Sequence, residues 1–326
     1  MDPIIKSISK NVNSPMSKNK IFKPLLKWVG GKTQILDKIM CEFPIEINNY
    51  HETFVGGGSV LLALLSYAKE GIIQIHDNIY AYDLNEPLIY MYKNIQINHL
   101  LLYDEIQCII TEYNECGCSK DALVNRRPEN ITEAKMLREN YYYWIRLKYN
   151  QLSEETKTTP LGSAMLIFLN KTCFRGIFRV GPNGFNVPYG HPSNNVTIIS
   201  KDHLYNIHQL IQPVIFECKD FTSSLQVSNI VANDYIYIDP PYASVKDTSF
   251  VGYTEKKFNN DSHNRLFKLI HILTESNTKV LLSNADVSLV RVSFTDRYTV
   301  TPIVCRRAIN SKKPDATAKE VIIKNY

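Results

Sequence analysis

Residues 235–242 read Tyr-Ile-Tyr-Ile-Asp-Pro-Pro-Tyr, which combines a strand signal with an abrupt stop. The first four residues are apolar and either β-branched or aromatic, which predicts a buried strand. Pro240 and Pro241 end that strand because neither can donate a backbone hydrogen bond. Asp239 and Tyr242 therefore stand at the carboxyl end of a strand, where open α/β sheets bind their ligands. A carboxylate beside an aromatic ring suits a flat ring that carries an amino group.

The composition is that of a globular protein with a mild positive charge. A length of 326 residues suits one large domain or two moderate ones. A hydrophobic share of 44% supports a core and argues against disorder. The net charge of +5 is compatible with a phosphate-bearing partner without establishing one. The seven cysteines are odd in number and widely spread, so we expect free thiols in a reducing compartment.

Several classes of protein are disfavoured. The chain has no run of about 18 apolar residues and no apolar N-terminal signal, so we expect neither a membrane span nor secretion. Cys116-Gly-Cys118 lacks a second pair of ligands at suitable spacing, and we expect no metal site. Residues 1–20 are rich in Lys, Ser and Asn and are predicted to form a mobile basic tail.

Strand and helix signals flank a long helical stretch. Strands are predicted at 75–83, 235–239, 279–284 and 320–326, and helices at 34–43 and 60–67. Residues 85–170 are predicted to be mainly helical, and the best-marked helix begins at Asn130, with Glu133 completing a capping box. Its apolar residues recur at helical spacing as far as Tyr149. We therefore predict an α/β core formed by residues 21–84 and 200–326, with a helical domain at 85–199 inserted into it.

A glycine cluster precedes the predicted helix at 60–67. Gly56 and Gly58 let the backbone approach a ligand closely, and the helix N-terminus adds the positive end of a dipole. Asp83 ends a strand about 25 residues later, where an acid commonly binds a ribose hydroxyl. Alone, the cluster is equally typical of a flexible turn. Together with Asp83 and the Asp-Pro-Pro-Tyr segment, it favours a cofactor that contains a nucleoside.

Residues 27–33, Lys-Trp-Val-Gly-Gly-Lys-Thr, end like a P-loop but lack its first glycine, since Leu26 occupies that position. An aromatic plate at Trp28 beside the cation of Lys32 suits a ligand with one apolar end and one carboxylated end. The alternative is a tryptophan of the core and a solvated lysine.

Six segments, in this order along the chain, resemble the Dam-type DNA adenine-N6 methyltransferases. They are Lys-Trp-Val-Gly-Gly-Lys at 27–32, Phe-Val-Gly-Gly-Gly at 54–58, Asp83, Phe-Leu-Asn-Lys-Thr-Cys-Phe-Arg-Gly-Ile-Phe-Arg at 168–179, Phe-Asn-Val-Pro-Tyr-Gly at 185–190, and Asp-Pro-Pro-Tyr at 239–242. This order is that of the alpha group of amino-methyltransferases, the D12 class, and the resemblance extends from about residue 22 to the end. It implies a Rossmann-like, seven-stranded α/β methyltransferase sheet with an inserted, mainly helical DNA-recognition domain.

The resemblance implies S-adenosyl-L-methionine as the methyl donor. The matching positions are Trp28 and Lys32 at the methionine end, Phe54, Gly56 and Gly58 in the glycine motif, Asp83 at the ribose, Asp220 and Phe221 at the adenine ring, and Asp239. A sulfonium is already activated, so we expect positioning and electrostatics to do most of the catalytic work.

The resemblance assigns catalysis to the Asp-Pro-Pro-Tyr segment. The exocyclic amino group of adenine is a poor nucleophile because its lone pair is delocalised into the ring. The Asp239 carboxylate and the Pro240 carbonyl could accept its two N–H groups, while Tyr242 stacks on the base. Such a base must first leave the double helix.

Residues 170–191 are the predicted DNA-reading segment, in which Lys171 and two arginines alternate with aromatic residues. Its part at 181–190 is rich in Gly, Pro and Asn and is predicted to be a loop. By resemblance, the DNA-binding residues are Lys27 at the first guanine, Phe174 as an intercalating aromatic, Arg175 beside it, Ile177 and Arg179 as base readers, Asn186 and Pro188. Arg175 stands where the best-known members often have Asn. These matches favour GATC as the target.

Two alternatives remain open: an amino-methyltransferase acting on cytosine N4, RNA or a protein amide, and a non-catalytic DNA-binding relative. The expected partner is double-stranded DNA, bound by a monomer or weak dimer in the cytoplasm or nucleoid, with a cognate restriction endonuclease as a further candidate partner. The basic pairs Arg306-Arg307 and Lys312-Lys313 suit either a phosphate contact or a solvated hairpin end.

Overall fold

A computed structural model of the chain describes residues 21–117, 123–192, 196, 199–243, 258–306 and 317–326. Four sequence-based predictions lie outside the described residues: the tail at 1–20, the thiol of Cys118, and the basic residues Arg307 and Lys312-Lys313.

The described strands are β1 (Glu46–Ile47), β2 (Tyr50–Glu52), β3 (Gln74–Ile75), β4 (Ile79–Asp83), β5 (Val180–Gly181), β6 (Gly184–Phe185), β7 (Val214–Cys218), β8 (Tyr235–Ile238), β9 (Lys279–Ala285), β10 (Thr299–Arg306) and β11 (Thr317–Lys324). The described helices are α1 (Leu36–Met40), α2 (Ser59–Lys69), α3 (Glu86–Glu115), α4 (Ile131–Lys135), α5 (Arg138–Gln151), α6 (Glu154–Lys157), α7 (Pro160–Thr172), α8 (Lys201–Ile211), α9 (Phe221–Ser224), α10 (Asn260–Glu275) and α11 (Ser288–Ser293).

Seven strands form one sheet in the order β10-β11-β9-β8-β2-β4-β7. The five strands from β9 to β7 are parallel, and β11 is antiparallel to both β9 and β10. The chain builds outward from β2 through β4 to β7 and then returns to place β8 on the other side of β2. The strand order therefore reverses between β2 and β8, and such a switch point opens a crevice at the carboxyl ends of the strands. The prediction of a seven-stranded α/β sheet is confirmed.

Alternation along β8 explains why this strand lies in the middle of the sheet. All four residues are buried, and their side chains divide between two hydrophobic clusters, one on each face. Tyr235 and Tyr237 belong to the cluster that contains α1, α2 and the helices inserted between β4 and β7. Ile236 and Ile238 belong to the cluster formed with α9, α10 and α11. A strand covered on both faces has this continuous apolar sequence.

Helix α3 joins the sheet to the inserted helices. Asn85 caps its first turn, and Asn98 departs from helical geometry inside it. Before that departure, the Gln96 amide bonds the carbonyls of Ile211 and Val214, each at 2.8 Å, which ties the helix to the edge of the sheet. The second half of the helix packs against α7 and α5 through Tyr113. The insertion thus grows from the sheet through one kinked helix.

The structure corrects three local predictions. The Asn130 side chain does cap a helix, accepting from Glu133 N at 3.0 Å, but the helix breaks because Leu137 is extended. The predicted strand 75–83 is interrupted between β3 and β4. The glycine-rich stretch at 181–190, predicted as a loop, contains the hairpin β5–β6.

Candidate active site

Backbone hydrogen bonds join the segments that leave the carboxyl ends of four strands. Thr53 N–H donates to Tyr237 O at 3.2 Å, which joins the ends of β2 and β8. Val55 N–H donates to Tyr82 O at 2.8 Å, and Lys219 N–H to Asp83 O at 3.2 Å. The glycine motif, the ribose-acid candidate and the Asp-Pro-Pro-Tyr segment therefore meet in the crevice at the switch point.

The centre of this crevice is an ion pair between Lys32 and Asp239. Lys32 Nζ lies 2.6 Å from Asp239 Oδ2, 2.5 Å from Gly30 O and 4.8 Å from the centroid of the Tyr242 ring. Asp239 Oδ1 is buried and has no hydrogen-bond partner among the described residues. Lys32 was predicted to contact the cofactor, and the structure places its ammonium directly on the candidate catalytic carboxylate. One carboxylate oxygen is left to accept a hydrogen bond from a ligand.

Burial and charge set the protonation of this carboxylate. Burial raises the pKa of Asp239 to about 6, although the Lys32 ammonium lowers it; the negative charge of Glu320 raises it further. The carboxylate form prevails above that pH, so Asp239 is an acceptor at neutral pH.

Glu52 is a second buried carboxyl group beside the pair, and the sequence-based predictions missed it. It is 2% exposed, and its Oε2 accepts from the Tyr50 hydroxyl at 2.7 Å. Burial raises the pKa of Glu52 to about 8, with Asp239 adding to the rise. The available signal was an acid two residues before Phe54 in the glycine motif, since Glu in a short buried strand needs a partner.

Two further residues missed by the sequence-based predictions hold the Asp-Pro-Pro-Tyr turn. The Tyr242 hydroxyl donates to Glu320 Oε2 at 2.9 Å. Asn284 Oδ1, on β9, accepts from Ala243 N–H at 3.1 Å. Pro240 is buried and Pro241 is half-buried at the mouth of β8. The turn is therefore fixed by side chains from β9 and β11, whose positions in the sheet no local pattern reveals.

The remaining cofactor candidates line the crevice on the β4 side. The Asp83 carboxylate accepts from Gly56 N–H at 3.0 Å and from Asn85 N–H at 2.9 Å. Burial raises the pKa of Asp83, and these backbone donors lower it in part. These bonds fix the glycine turn against the end of β4.

An aromatic wall stands beside this turn. The rings of Phe54 and Phe221 stack at a centroid distance of 6.0 Å, and Phe258, which the predictions missed, packs against both. The Asp220 side chain caps α9, since its Oδ1 accepts from the Thr222 N–H at 2.9 Å. Phe54 and Phe221 thus offer ring surface, while Asp220 holds the helix that carries Phe221.

Trp28 connects the glycine motif to the predicted DNA-reading segment. Its ring stacks on Phe178 at a centroid distance of 5.7 Å. It also lies so close to Gly56 and Gly57 that a Cβ atom on either glycine would lie 2.8 Å from a Trp28 carbon. Trp28 is half-buried. Trp28 therefore packs beside the glycine motif, and its contact with the methionine end of the cofactor stays a prediction.

Asn170 makes a second connection between the same two regions. Its Oδ1 accepts from Lys27 N–H at 2.9 Å, and its Nδ2 donates to Lys27 O at 2.8 Å and to Gly176 O at 3.0 Å. Gly176 has a φ of +66°, and a Cβ there would lie 2.6 Å from Lys27 Cβ. Glycine is required at this position, and the Lys27 side chain is directed to the surface.

The predicted DNA-binding residues Phe174 and Arg175 lie on the turn at 174–176, which contacts Lys27 through Gly176. Phe174 is 45% exposed, with the Arg175 guanidinium 4.9 Å from the centroid of its ring. Phe174 N–H donates to Pro188 O at 2.9 Å. Arg175 has a φ of +60°. This turn presents an aromatic ring and a cation together at the surface.

Arg179 and Asn186 lie beside that turn and hold each other. Arg179 Nε donates to Asn186 Oδ1 at 2.6 Å, and its Nη2 to Asn186 O at 3.1 Å. Ile177 is half-buried and packs against the core, so less of it is available than its predicted role as a base reader implies. Lys171 adds charge nearby; burial and then the neighbouring Lys27 lower its pKa.

No group of three or more His, Cys, Asp or Glu side chains in the described ranges is arranged to hold a metal ion. Within the same ranges, no helix has the length and apolar character needed to cross a membrane.

Comparisons with known proteins agree with this geometry. Residues 28–309 match the family model of the D12 class N6 adenine-specific DNA methyltransferases. The chain is 33% identical to the Type II methyltransferase M.MjaIII of Methanocaldococcus jannaschii, over 93% of this chain and 99% of that protein. It is 27% identical to the DNA adenine methylase of Escherichia coli K12, over 91% of each chain. A DNA N-6-adenine-methyltransferase of Escherichia phage P1 is 25% identical over 95% of this chain and 37% of its own length. The chain belongs to the D12 class of N6 adenine-specific DNA methyltransferases.

Proposed function

We propose that the chain methylates the N6 amino group of adenine within GATC in duplex DNA, after the base has left the helix and entered the pocket at residues 239–242. The observation that carries this proposal is the carboxylate of Asp239, which is paired on one oxygen and, within the described part of the chain, has no hydrogen-bond partner on the other. A buried acceptor without a partner is costly unless a ligand supplies the donor. An adenine amino group is such a donor.

Membership of the family implies S-adenosylmethionine as the methyl donor, and the residues of the crevice fit it. Phe54 and Phe221 offer ring surface for the adenine of the cofactor, and the carboxylate of Asp83 offers acceptors for its ribose hydroxyls. Trp28 and Lys32 stand at the other side of the glycine turn. When bound, the cofactor supplies a methyl group already activated by a sulfonium.

The chemistry assigned to the chain is positioning and acceptance of a proton. The Asp239 carboxylate and the Pro240 carbonyl accept the two N–H groups of the target, which favours a pyramidal nitrogen with its lone pair directed outward. Asp239 also stabilises the positive charge that develops on that nitrogen and accepts the proton it loses. Tyr242 offers its ring to the base, and its hydroxyl is anchored on Glu320.

Recognition of DNA is assigned to the exposed face around Lys27. Phe174 fills the gap left in the base stack, because it is an exposed aromatic on a fixed turn. Lys27, Arg175 and Arg179 supply cations for guanine edges and phosphates. Residues 85–199 serve as the target-recognition domain in this proposal.

Methyl transfer from labelled S-adenosylmethionine tests the proposal directly. We expect transfer to a GATC duplex and little to a scrambled duplex, a duplex with cytosine in place of the target adenine, or RNA. Asp239→Ala should abolish transfer while DNA binding largely survives, and Asp239→Asn separates the loss of charge from the loss of shape. Near-normal turnover of Asp239→Ala would contradict the role of this carboxylate.

Sequencing the methylated adenines in DNA from cells that express the chain tests the target site. Methylation confined to GATC supports this target site. Methylation in another sequence would show that the target is that sequence and not GATC. Failure of the purified chain to bind S-adenosylmethionine in calorimetry would favour a non-catalytic relative instead.

A further inference from the structure

We propose that Glu320 is a positioning residue of the methyl-transfer site, which holds the Tyr242 ring in place and contributes negative charge beside Asp239. This inference rests on the proposed roles of Asp239 and Tyr242. Glu320 lies on β11, at the antiparallel side of the sheet, and no motif of the sequence singles it out.

Glu320 reaches the site from across the sheet. It pairs with Ala285 on β9 and with Ile303 on β10, so two strand positions separate β11 from β8 in the sheet order. Its Oε2 accepts the Tyr242 hydroxyl at 2.9 Å. The side chain is half-buried, and the two residues are 78 positions apart in the chain.

Glu320 also contacts Cys305 on β10. Burial, then the negative charge of Glu320 and a hydrogen bond to it, raise the pKa of Cys305 to about 11. The bond from the Tyr242 hydroxyl to Glu320 holds the far end of the Tyr242 ring. Because the backbone holds the other end, this bond restrains the first side-chain torsion and so fixes the position of the long axis of the ring.

The position of this ring matters because the target base is expected to stack on it. Lys32 Nζ stands 4.8 Å from the ring centroid, so the same ring also contacts the counter-ion of Asp239. A rotation of Tyr242 would move the stacking surface relative to the carboxylate. Misplacement of a reacting group by about 1 Å can cost about a hundredfold in rate.

The charge of Glu320 acts on Asp239 as well. The groups that face Asp239 are the cation Lys32, the carboxyl groups of Glu52 and Glu320, and the phenols of Tyr237 and Tyr242. The pKa of Glu52 is about 8, so Glu52 is largely neutral at neutral pH. Glu320 is the anion that raises the pKa of Asp239, while Lys32 lowers it. Removing the charge of Glu320 should therefore extend the carboxylate form of Asp239 to lower pH.

Four variants test this assignment. Glu320→Gln keeps an oxygen acceptor for Tyr242 and removes the charge, whereas Glu320→Ala removes both. Tyr242→Phe removes the donor. Glu275→Gln is the matched control, since it removes a negative charge from an exposed pair with Arg297 near the end of α10, away from the crevice.

The readouts are kcat and KM against pH, DNA affinity, and the fluorescence of 2-aminopurine placed at the target adenine. We expect Glu320→Ala to lower kcat about tenfold or more, in line with the loss of a hydrogen bond to a charged group. DNA affinity should change less than about threefold, because the face around Lys27 is intact. The 2-aminopurine signal on binding should change, because the stacking surface has moved. Glu320→Gln should recover most of kcat, and its acid limb should move to lower pH.

The double variant Glu320→Ala with Tyr242→Phe should be no slower than Tyr242→Phe alone, because both changes break one bond. Additive losses, or an acid limb of Glu320→Gln that coincides with that of the wild type, would overturn the inference. If Glu320→Ala does not fold, the pH profile of Glu320→Gln decides alone. If the wild type is active, Asp239→Ala is inactive and the Glu320 variants behave like the wild type, only this inference is wrong. If the wild type itself is inactive, the proposed function is wrong.

Discussion

Lys32 Nζ lies 2.6 Å from Asp239 Oδ2, and the lysine is only 4% exposed. The lysine comes from the turn after residues 27–31 and the aspartate from the end of β8. Without the ammonium, burial would favour the neutral acid at Asp239, and a neutral acid is a weaker acceptor for an N–H group of the target than a carboxylate. The pair therefore does more than contact a cofactor, because it keeps the proposed acceptor ionised.

Replacing Lys32 by Met should shift the activity of the enzyme to higher pH. Loss of the cation raises the pKa of Asp239 above its value of about 6, and each unit costs tenfold in carboxylate at pH values below the new pKa. We expect the acid limb of kcat to move toward alkaline pH and kcat at pH 7 to fall at least about tenfold. The pH–rate profile is the measurement, with Lys268→Met on the exposed side of α10 as control. A parallel drop at every pH would show that Lys32 acts by another route.

Replacing Glu52 by Gln should stabilise the protein at alkaline pH. The pKa of Glu52 is raised to about 8 in the folded state from an ordinary value of 4.5, so the stability it contributes is present below 4.5 and is lost as the pH rises through about 8. Gln resembles the neutral acid and does not ionise. We expect Tm of Glu52→Gln to exceed that of the wild type at pH 9, by about 2 °C for each kcal/mol. The two should converge near pH 5. Thermal unfolding at both pH values measures this. An equal difference in Tm between the variant and the wild type at pH 5 and pH 9 would contradict the ionisation of Glu52 near pH 8.

Replacing Asn170 by Ala should weaken DNA recognition without touching the DNA-binding side chains. The change removes three hydrogen bonds, two to the backbone of Lys27 and one to Gly176. We expect the free energy of unfolding to fall by about 1–3 kcal/mol and KM for DNA to rise several-fold, because Lys27 loses its fixed position. Affinity for S-adenosylmethionine should change less. Asn78→Ala, at an exposed asparagine that bonds Asn49, is the control; an equal effect of both variants on KM would remove the connection proposed for Asn170.

Replacing Phe174 by Ala should reduce extrusion of the target base. The ring is 45% exposed on a turn fixed by the bond from Phe174 N–H to Pro188 O, so its loss should leave the fold intact. We expect the fluorescence of 2-aminopurine at the target, in the complex with DNA, to be lower for Phe174→Ala than for the wild type. We also expect kcat/KM to drop about tenfold or more, since unstacking costs a few kcal/mol. Tyr205→Ala, at a 50% exposed aromatic on α8, controls for the loss of a surface ring. Fluorescence equal to that of the wild-type complex would exclude the proposed role of Phe174 in filling the gap left in the base stack.

Local patterns determined the class of the fold and several of its parts. The apolar run before Asp239 predicted a buried strand, and the two prolines predicted its end. The glycine turn predicted the start of α2. Each of these features depends on a few neighbouring residues. The capping box of Asn130 and Glu133 was local for the same reason. The break at Leu137 could not be predicted from the sequence, because an extended residue within a helical pattern carries no local signal.

The short strands also escaped prediction. β2 has three residues, Tyr-His-Glu, and no alternating pattern identifies it as the strand beside β8. Its position is decided by packing between β4 and β8, a tertiary effect that overrides weak propensity. Yet β2 places both Glu52 and the glycine motif next to Asp239.

The sequence by itself therefore determined the family, the order of the motifs and most of the candidate residues, because these are properties of short segments. Only the tertiary structure decided which residues act together. Asn170 on α7 meets Lys27 across 143 positions because the insertion packs on the segment before α1. Glu320 meets Tyr242 across 78 because β11 lies two strands from β8 in the sheet. Lys32 likewise becomes the counter-ion of Asp239 because the switch point between β2 and β8 brings two distant chain segments into one crevice.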